Sequence, residues 1–236
     1  MLILGVETAT LQVGCAVGGH EGVLAAFQSA RGRRHAEVLA PAIEFTCKQA
    51  RIDLKEIGAI AVDIGPGLFT GLRVGVATAK AMAQGLRVPM IGVSSLDLLA
   101  FPVRHTSKLI VAAIDARRSE LFYAFYRQVP GGLQRQSGYQ LGTADDLASE
   151  LLAVGRESLL VGDGAHRYAD VLREVGGVEF GDAGFAYPSP SALVELAHAR
   201  ALREEFVPTW ELEPLYLRKA DAEINWERRD AFPESA

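Results

Sequence analysis

Residues 65–75 read Gly-Pro-Gly-Leu-Phe-Thr-Gly-Leu-Arg-Val-Gly, and the organisation of the chain is built around them. An apolar run from Ile57 to Ile64 precedes this stretch, and an alanine-rich pattern from Leu72 to Leu86 follows it. The pattern predicts a strand, a glycine turn and a helix. A turn of this kind presents backbone N–H groups at a helix N-terminus, where anions bind well.

The glycines of this turn have a second interpretation. Gly65, Gly67, Gly71 and Gly75 permit positive backbone dihedral angles and close packing, with Thr70 as the helix N-cap. No Gly-Lys-Ser/Thr follows, so the turn is not a P-loop, and the spacing lacks the third glycine of a dinucleotide-binding fingerprint. Anion binding and structural packing both stay open from these residues alone.

The composition is that of a globular protein and excludes several classes. The 236 residues are 49% hydrophobic and 22% charged, with a net charge of -5. That length suits one large or two small domains, and the charge disfavours autonomous tight binding to nucleic acid. The two cysteines, Cys15 and Cys47, offer no disulfide framework. We find no signal peptide and no apolar run of about 18 residues, so we expect a cytoplasmic protein without a membrane segment.

The order of predicted elements is used twice. A three-strand meander, a helix and a strand begin at Met1 and again near Lys108, which predicts an α/β fold of two related lobes, each a mixed sheet with flanking helices. We expect lobes over residues 1–103 and 104–236, with the helix at 191–205 joined to the first lobe and a mobile tail beyond about residue 227. The predicted strands span residues 2–7, 13–17, 22–27, 57–64, 89–93, 109–114, 121–127, 133–141 and 158–161. The predicted helices span residues 34–51, 72–86, 144–154 and 191–205.

Local motifs for catalysis are missing from the sequence. The five histidines are widely separated, and no two share a helical face at i, i+4 spacing, so no metal ligand set is predicted. There is no Gly-x-Ser-x-Gly elbow, and neither cysteine has neighbours that would lower its pKa. We therefore predict no catalytic residue and no resident metal.

Three carboxylates are weak candidates for cofactor binding. Glu7 and Asp115 end corresponding strands, and Asp163 lies between two glycines. Acids at matching strand ends can hold a magnesium-phosphate group in a cleft between lobes. No glycine follows Glu7 or Asp115 to let the backbone wrap a phosphate, so capping of turns is the favoured role for both.

The helix predicted over residues 72–86 has an unusually wide apolar surface. Arg73, Lys80 and Gln84 form one narrow stripe, and the remaining arc of roughly 260° is apolar or small apart from Thr78. A helix on one sheet needs an apolar arc of little more than about 100°. The excess predicts a second covered face, buried against another subunit or, alternatively, against the neighbouring helix and the other lobe. The expected partner-interface residues are Val38, Ala42, Phe45, Val74, Ala77, Thr78, Ala81 and Met82.

Several motifs together resemble one family. They are residues 65–75, the opening Ile-Leu-Gly-Val-Glu-Thr-Ala-Thr at 3–10, Ile-Gly-Val-Ser-Ser-Leu at 91–96, Ala-Ile-Asp-Ala-Arg-Arg at 113–118 and Pro-Leu-Tyr-Leu-Arg at 214–218. In this order, over about 220 residues, the set resembles the TsaB family, also called YeaZ. The resemblance implies an actin-like, two-lobed fold of the sugar kinase and Hsp70 superfamily. It also implies a part in making threonylcarbamoyladenosine at position 37 of tRNAs that read codons beginning with A.

The resemblance further implies a non-catalytic relative of TsaD, the transferase subunit. TsaD carries a His-x-x-x-His metal motif, and alignment places Ser95 and Leu99 of this chain at those positions, so that site is absent here. Members are expected to form a heterodimer with TsaD through the two helices that flank the glycine turn, to recruit the ATPase TsaE, and to form a homodimer in isolation. ATP and metal are expected on the partner subunits, and tRNA only through the complex. Leu68 and Glu7 depart from the family's usual Ser and Asp.

Two hypotheses from different classes follow. The first is a scaffold or activator subunit that docks on TsaD. The alternative is a stand-alone actin-like ATPase or phosphotransferase, with Glu7, Asp115 and Asp163 around a nucleotide. A metalloprotease has no ligand set in this sequence.

Overall fold

The structure is a computed structural model that describes residues 1–30 and 34–218. It contains two β-sheets with helices packed on their faces. Within the described ranges, no helix is long and apolar enough to cross a bilayer. The tail predicted to be mobile beyond residue 227 lies outside the described residues.

The strands of each sheet come from one half of the chain. The first sheet contains β1 (Leu2–Glu7), β2 (Val13–Gly19), β3 (Gly22–Ser29), β4 (Ile57–Gly65) and β5 (Met90–Ser94). The second contains β6 (Leu109–Arg117), β7 (Glu120–Val129), β8 (Gly132–Arg135), β9 (Gln140–Thr143), β10 (Ser158–Val161) and β11 (Val178–Phe180). The strand orders are β3-β2-β1-β4-β5 and β11-β10-β6-β7-β8, with β9 also paired to β7.

The two sheets share one topology. In each, the first strand pairs antiparallel with the second and parallel with the strand that follows the crossover helix, and the last strand extends the parallel side. Parallel pairing requires crossover connections, which the helices supply. The predicted repeat of meander, helix and strand is therefore present as two mixed sheets with flanking helices.

The helices are α1 (His35–Ala50), α2 (Phe69–Leu86), α3 (Ser95–Ala100), α4 (Ala144–Val154), α5 (Asp163–Arg167), α6 (Ala169–Leu172) and α7 (Pro190–Ala201). Short 3-10 helices span Leu54–Glu56 and Ala183–Phe185. Helix α4 and strand β10 have the predicted bounds. Helix α7 is shorter than the predicted 191–205, and Glu204 beyond it has a positive φ of 58°.

The first sheet is covered on both faces. Alternate side chains of β1 point to opposite faces, so Leu4 and Val6 pack with α1 and α2, whereas Ile3 packs with α7. Helix α3 lies between the sheets, where Leu96 and Leu99 pack against β6 and β7. On the far face of the second sheet, the core includes residues of α4, α5 and α6.

The predicted start of helix α2 was wrong. Helix α2 begins at Phe69 rather than Leu72, and its N-cap is Leu68, so Thr70 lies in the first turn and is not the cap. The cause is tertiary, because Leu68 donates its N–H to the carbonyl of Ala9 at 2.7 Å and accepts from Leu72 N at 3.0 Å. The helix therefore starts without a side-chain cap.

The predicted strand at 133–141 is two strands, β8 and β9, which both pair with β7. Between them, Gln136 donates its N–H to the Phe125 carbonyl at 2.7 Å. The Ser137 hydroxyl accepts the N–H of Phe125 at 3.1 Å. A side-chain oxygen therefore takes the place of a backbone carbonyl in the strand pairing, and the chain bends at this point. The short elements α3, α5, α6 and β11 were missed from sequence because each is below about two helical turns or a few strand residues in length.

Candidate functional site

Four carboxylates lie at or just after strand ends. Glu7 ends β1, Asp63 lies near the end of β4, Asp115 lies near the end of β6, and Asp163 begins α5 after β10. Three of these were predicted as candidates, and Asp63 was missed. The visible signal for Asp63 was a single acid inside an otherwise apolar strand.

Glu7 is held by neutral groups. Its Oε1 accepts the N–H of Ala9 at 2.8 Å, and its Oε2 accepts the side-chain amide of Gln12 at 3.3 Å. The Gln12 amide also donates to the Pro188 carbonyl at 2.7 Å. Glu7 is fully buried, and burial, with the nearby carboxylate of Asp63, raises its pKa well above the usual range.

Asp63 is also buried among neutral groups. Its Oδ1 accepts the Ser95 hydroxyl at 2.6 Å and the N–H of Gly65 at 2.8 Å. Its Oδ2 is buried and has no hydrogen-bond partner in the described part of the chain. Burial raises the pKa of Asp63 to about 7, so its neutral form is populated near neutral pH.

The second lobe gives its carboxylates cationic partners. Asp115 accepts the N–H of Arg117 at 2.9 Å, and its Oδ2 lies 3.0 Å from Arg117 Nη1 and 3.5 Å from Arg167 Nε. Asp163 accepts the N–H of Asp115 at 3.1 Å. Burial raises the pKa of Asp163 to about 6. The two acids therefore form a pair that is connected to the surface through arginines.

Glu7, Asp63 and Asp115 share one local role. Each accepts the backbone N–H two residues later, from Ala9, Gly65 and Arg117 respectively. This bond caps the turn that leaves the strand. The N–H groups of Ala9, Gly65 and Arg117 are therefore occupied by the chain's own carboxylates.

The glycines of the 65–75 stretch provide close packing. A Cβ at Gly67 would lie 2.2 Å from the Ala9 carbonyl oxygen, and a Cβ at Gly71 would lie 2.1 Å from that of Thr8. A Cβ at Gly75 would lie 2.2 Å from the Thr8 hydroxyl, which donates to the Gly71 carbonyl at 2.8 Å. The loop after β1 thus lies directly against the first turns of α2. The geometry supports the packing interpretation of these glycines.

The second lobe is closed in the same way. A Cβ at Gly162 would lie 2.0 Å from the Ala113 carbonyl oxygen, and one at Gly164 would lie 2.7 Å from the Ile114 carbonyl carbon. Gly162 also has a positive φ of 104°. The start of α5 is therefore pressed onto the end of β6, and the residues at these strand ends do not fit a magnesium-phosphate group.

A cleft remains between the two sheets. Its cavity volume is about 390 Å³, and neutral residues line it. They include Gln12 from the first lobe, Leu98 and Leu99 from α3, and Phe185 and Tyr187 from the chain after β11. A nucleotide cleft needs convergent charged or polar groups for the phosphates. The polar side chains that line this cleft, such as Gln12 and Tyr187, are neutral, and none of its lining residues is charged. The positions aligned with the TsaD histidines are likewise closed, since Ser95 bonds to Asp63 and Leu99 is only 2% exposed. Over residues 1–30 and 34–218, no three His, Cys, Asp or Glu residues group together as they would to hold a metal ion.

The segment at 214–218 fastens the glycine turn to the second lobe. Leu215 donates its N–H to the Ile64 carbonyl at 2.7 Å, and the Tyr216 ring lies 5.4 Å from that of Phe69. Arg218 then contacts Glu120 at 2.7 Å and the Ala116 carbonyl at 2.8 Å. The role of this motif is to hold the two lobes and the start of α2 in one arrangement.

The expected interface residues divide by exposure. Phe45 is 53% exposed. Ala77 and Ala81 are exposed, while Val38, Val74, Thr78 and Met82 are half-buried. Ala42 was wrongly placed on this surface: it is 4% exposed and packs in the core with Leu39 and Ile43, because those three lie on one arc of α1. Pro41 and Gly85 are also exposed on the same two helices.

The two mixed sheets of one topology, with helices on their faces, define an α/β protein of the actin-like fold. A structure from Thermus thermophilus, described as a ROK hexokinase, matches 86% of the chain with a TM-score of 0.51 at 13% identity, which shows the fold alone. Residues 28–226 match the family described as TsaD: tRNA N6-adenosine threonylcarbamoyltransferase.

Closer relatives narrow the family. The chain is 30% identical to the tRNA threonylcarbamoyladenosine biosynthesis protein TsaB of Bacillus subtilis over 96% of this chain and 98% of that one. The structure described as YeaZ from Pseudomonas aeruginosa matches 92% of this chain and 99% of that one, with 26% identity and a TM-score of 0.78. The chain belongs to the TsaB (YeaZ) family, within the wider TsaD family.

Proposed function

We propose that this chain is a non-catalytic scaffold and activator subunit in the synthesis of N6-threonylcarbamoyladenosine at position 37 of tRNAs. It dimerises with a TsaD-like protein, helps to recruit a TsaE-like ATPase and works in the cytoplasm. The partner subunits bind ATP and metal, and tRNA reaches the chain through the complex. In isolation the same face forms a homodimer. The relatives are described as tRNA threonylcarbamoyladenosine biosynthesis proteins, which supports a role for this chain in the same pathway.

The observation that carries the proposal is the incompletely covered face of α1 and α2. Ala77, Ala81 and Gly85 repeat every four residues along α2 and are exposed, and Phe45 of α1 adds an aromatic ring that is 53% exposed. Small residues at this spacing allow a second helix to approach closely, and the exposed ring supplies an apolar anchor. The inner side of α2 already packs on β4, so this face is available to a partner.

The closed strand ends support the non-catalytic role. The carboxylates that would hold a magnesium-phosphate group cap turns or pair with arginines, and backbone atoms fill the space beside the glycines. The same geometry disfavours the alternative of a stand-alone ATPase or phosphotransferase.

Charge placed on the outer face of α2 tests the docking surface. Ala81→Glu and Ala77→Glu should each abolish co-purification with the TsaD-like partner, because a carboxylate buried at an apolar interface loses its hydration. Ala153→Glu, at an exposed alanine of α4 on the other lobe, is the matched control and should bind normally. Circular dichroism spectra should match that of the unmodified chain for all three.

Reconstitution tests the functional consequence. Modified tRNA should form with the TsaD-like and TsaE-like proteins and this chain, and should fall to the level without this chain for Ala81→Glu. Normal partner binding by both α2 variants would contradict the docking surface. Equal yields of modified tRNA with and without the chain would contradict the activator role.

A further inference from the structure

Four arginines gather where α7 meets the β7–β8 hairpin, and we refer to them as the arginine cleft: Arg104, Arg135, Arg200 and Arg203. Three of them, Arg135, Arg200 and Arg203, line a cavity of about 400 Å³. A neighbouring cavity of about 500 Å³ contains Arg104. The two cavities share Gly131 and Gly132 of the hairpin turn, so they lie side by side.

The guanidinium groups of this cleft are held in place. Arg104 stacks on the Phe101 ring and Arg135 on the Tyr139 ring, each with the guanidinium carbon 3.8 Å from the ring centre. Arg200 donates to the Gly92 carbonyl at 2.5 Å. A guanidinium fixed by stacking loses less conformational freedom when it binds an anion. This preorganisation is typical of a recognition surface.

Positive charge exceeds negative charge in the cleft. Asp97 lies 3.9 Å from Arg135 and 3.6 Å from Arg200 and also accepts the hydroxyls of two tyrosines. Glu205 pairs with Arg203 at 2.5 Å. Among residues 1–30 and 34–218, the ion pairs of these four arginines are made with two carboxylates, Asp97 and Glu205, on a chain whose net charge is -5. This local excess against the overall charge favours a ligand with phosphate groups.

The cleft lies away from the proposed docking surface. Helix α7, which carries Arg200, packs on the face of the first sheet that includes Ile3 and Ala61. Helices α1 and α2 pack on the opposite face, which includes Leu4 and Val62. A partner docked on α1 and α2 therefore leaves the arginine cleft open.

We propose that the arginine cleft binds backbone phosphates of the RNA that the assembled complex holds. The inference rests on the proposed function for the identity of the RNA. Two adjoining cavities with arginines on both sides of the 130–132 turn suit successive phosphates of one strand better than a single free phosphate. The negative charge of the whole chain restricts this contact to RNA that the partner already retains.

The test measures how tRNA binding to the complex with the TsaD-like partner depends on salt. Fluorescence anisotropy of a labelled tRNA transcript gives Kd between about 50 and 200 mM salt. In the double variant R104Q/R203Q, the slope of log Kd against log salt should fall by about 2, because two phosphates are no longer neutralised by arginine. The salt-induced loss of affinity should then shrink roughly tenfold. R156Q, at an exposed arginine beside α4, is the matched control and should keep the full slope.

The single variant R203Q controls for misfolding of the double variant, since the Arg203 side chain is 58% exposed and its replacement should leave the fold intact. It should lower the slope of log Kd against log salt by about 1. Slopes equal to that of the unmodified complex in both variants would overturn the inference. Binding of inorganic phosphate to the unmodified complex and not to R104Q/R203Q, together with an unchanged salt slope for tRNA, would overturn it as well, since the cleft would then bind free phosphate and not RNA. Failure of the unmodified chain to join the partner or to support tRNA modification would instead contradict the proposed function.

Discussion

The hydrogen-bond partners of Glu7 and Asp63 in the first lobe are hydroxyl, amide and backbone N–H groups, whereas Asp115 in the second lobe contacts Arg117 and Arg167. Both lobes have the same strand order, in which β1 with Glu7 corresponds to β6 with Asp115, and β4 with Asp63 corresponds to β10, which Asp163 follows. One fold therefore uses two ways to bury a carboxylate. The first lobe favours the protonated forms of Glu7 and Asp63. The second supplies arginines to Asp115, and burial there raises the pKa of Asp163 to about 6.

The strand-end acids of the two lobes therefore respond to different conditions. Where burial keeps a carboxyl protonated, its contribution to stability depends on pH, because ionising the group costs desolvation energy. Where a buried carboxylate is paired with arginines, stability depends on those side chains, because removing them leaves a buried negative charge without a positive partner. What the lobes share is the glycine contact between a helix start and the neighbouring strand end.

The largest expected effect comes from breaking the contact that both lobes share. Gly71→Ala puts a Cβ 2.1 Å from the Thr8 carbonyl oxygen, and Gly162→Ala puts one 2.0 Å from that of Ala113. Backbone atoms cannot move aside as a flexible side chain would, so each variant should lose about 3 kcal/mol of unfolding free energy in urea denaturation.

Helix α2 offers its own control for this prediction. A Cβ at Gly85 would meet nothing within 4 Å. Gly85→Ala should therefore stabilise the protein by about 0.5 to 1 kcal/mol, since alanine is the better helix former. Stability of Gly71→Ala equal to that of Gly85→Ala would show that the loop after β1 does not lie against α2.

The next largest effect concerns the protons of the first lobe. The pKa of Asp63 rises from its usual value of 3.8 to about 7 in the folded protein, and that of Glu7 is also raised. Between about pH 4 and 7 the folded protein then binds more protons than the unfolded chain, so its stability falls as pH rises. We expect the unfolding free energy to drop by a few kcal/mol across this window.

Asp63→Asn separates this contribution from the others. The amide keeps an oxygen that can accept from Ser95 and Gly65 and cannot ionise, so the fall in stability between about pH 6 and 7, the upper part of the window, should be reduced. Asp170→Asn, at a fully exposed acid of the second lobe, should leave the pH profile unchanged. Urea denaturation at a series of pH values measures both. A profile for the unmodified chain that is flat between about pH 4 and 7 would contradict the proton-based account of the first lobe.

Local patterns were sufficient to predict much of the fold. Helix α4 was predicted with its observed bounds because Thr143 and Asp146 form a capping box at its start and Gly155 ends it in the left-handed region. The two meanders were visible because apolar runs alternate with glycine turns. The start of α2 was wrong by three residues because it depends on the Ala9 carbonyl, a contact between residues far apart in sequence.

The candidate site was less predictable for the same physical reason. Glu7, Asp63 and Ser95 come together through the parallel pairing of β1, β4 and β5, which no local pattern specifies. Arg117 is visible two residues after Asp115, whereas Arg167 reaches it only in the folded chain. Ala42 could have been placed correctly, since it shares an arc of α1 with the apolar residues Leu39 and Ile43, and all three are buried together.

The smallest expected effect comes from removing a cation in the second lobe. Arg117→Gln takes away the guanidinium 3.0 Å from the buried Asp115 carboxylate. The Arg117 side chain is 39% exposed and Arg167 still lies within reach, so the loss of unfolding free energy should be only about 1 to 2 kcal/mol. Because Arg117 also lowers the pKa of Asp163, the pKa of Asp163, followed by NMR titration, should rise further in this variant. Arg156→Gln should change neither quantity. If Arg117→Gln destabilised the protein no more than Arg156→Gln and left the Asp163 titration unchanged, the second lobe would not depend on its arginines, and the distinction between the lobes would fail.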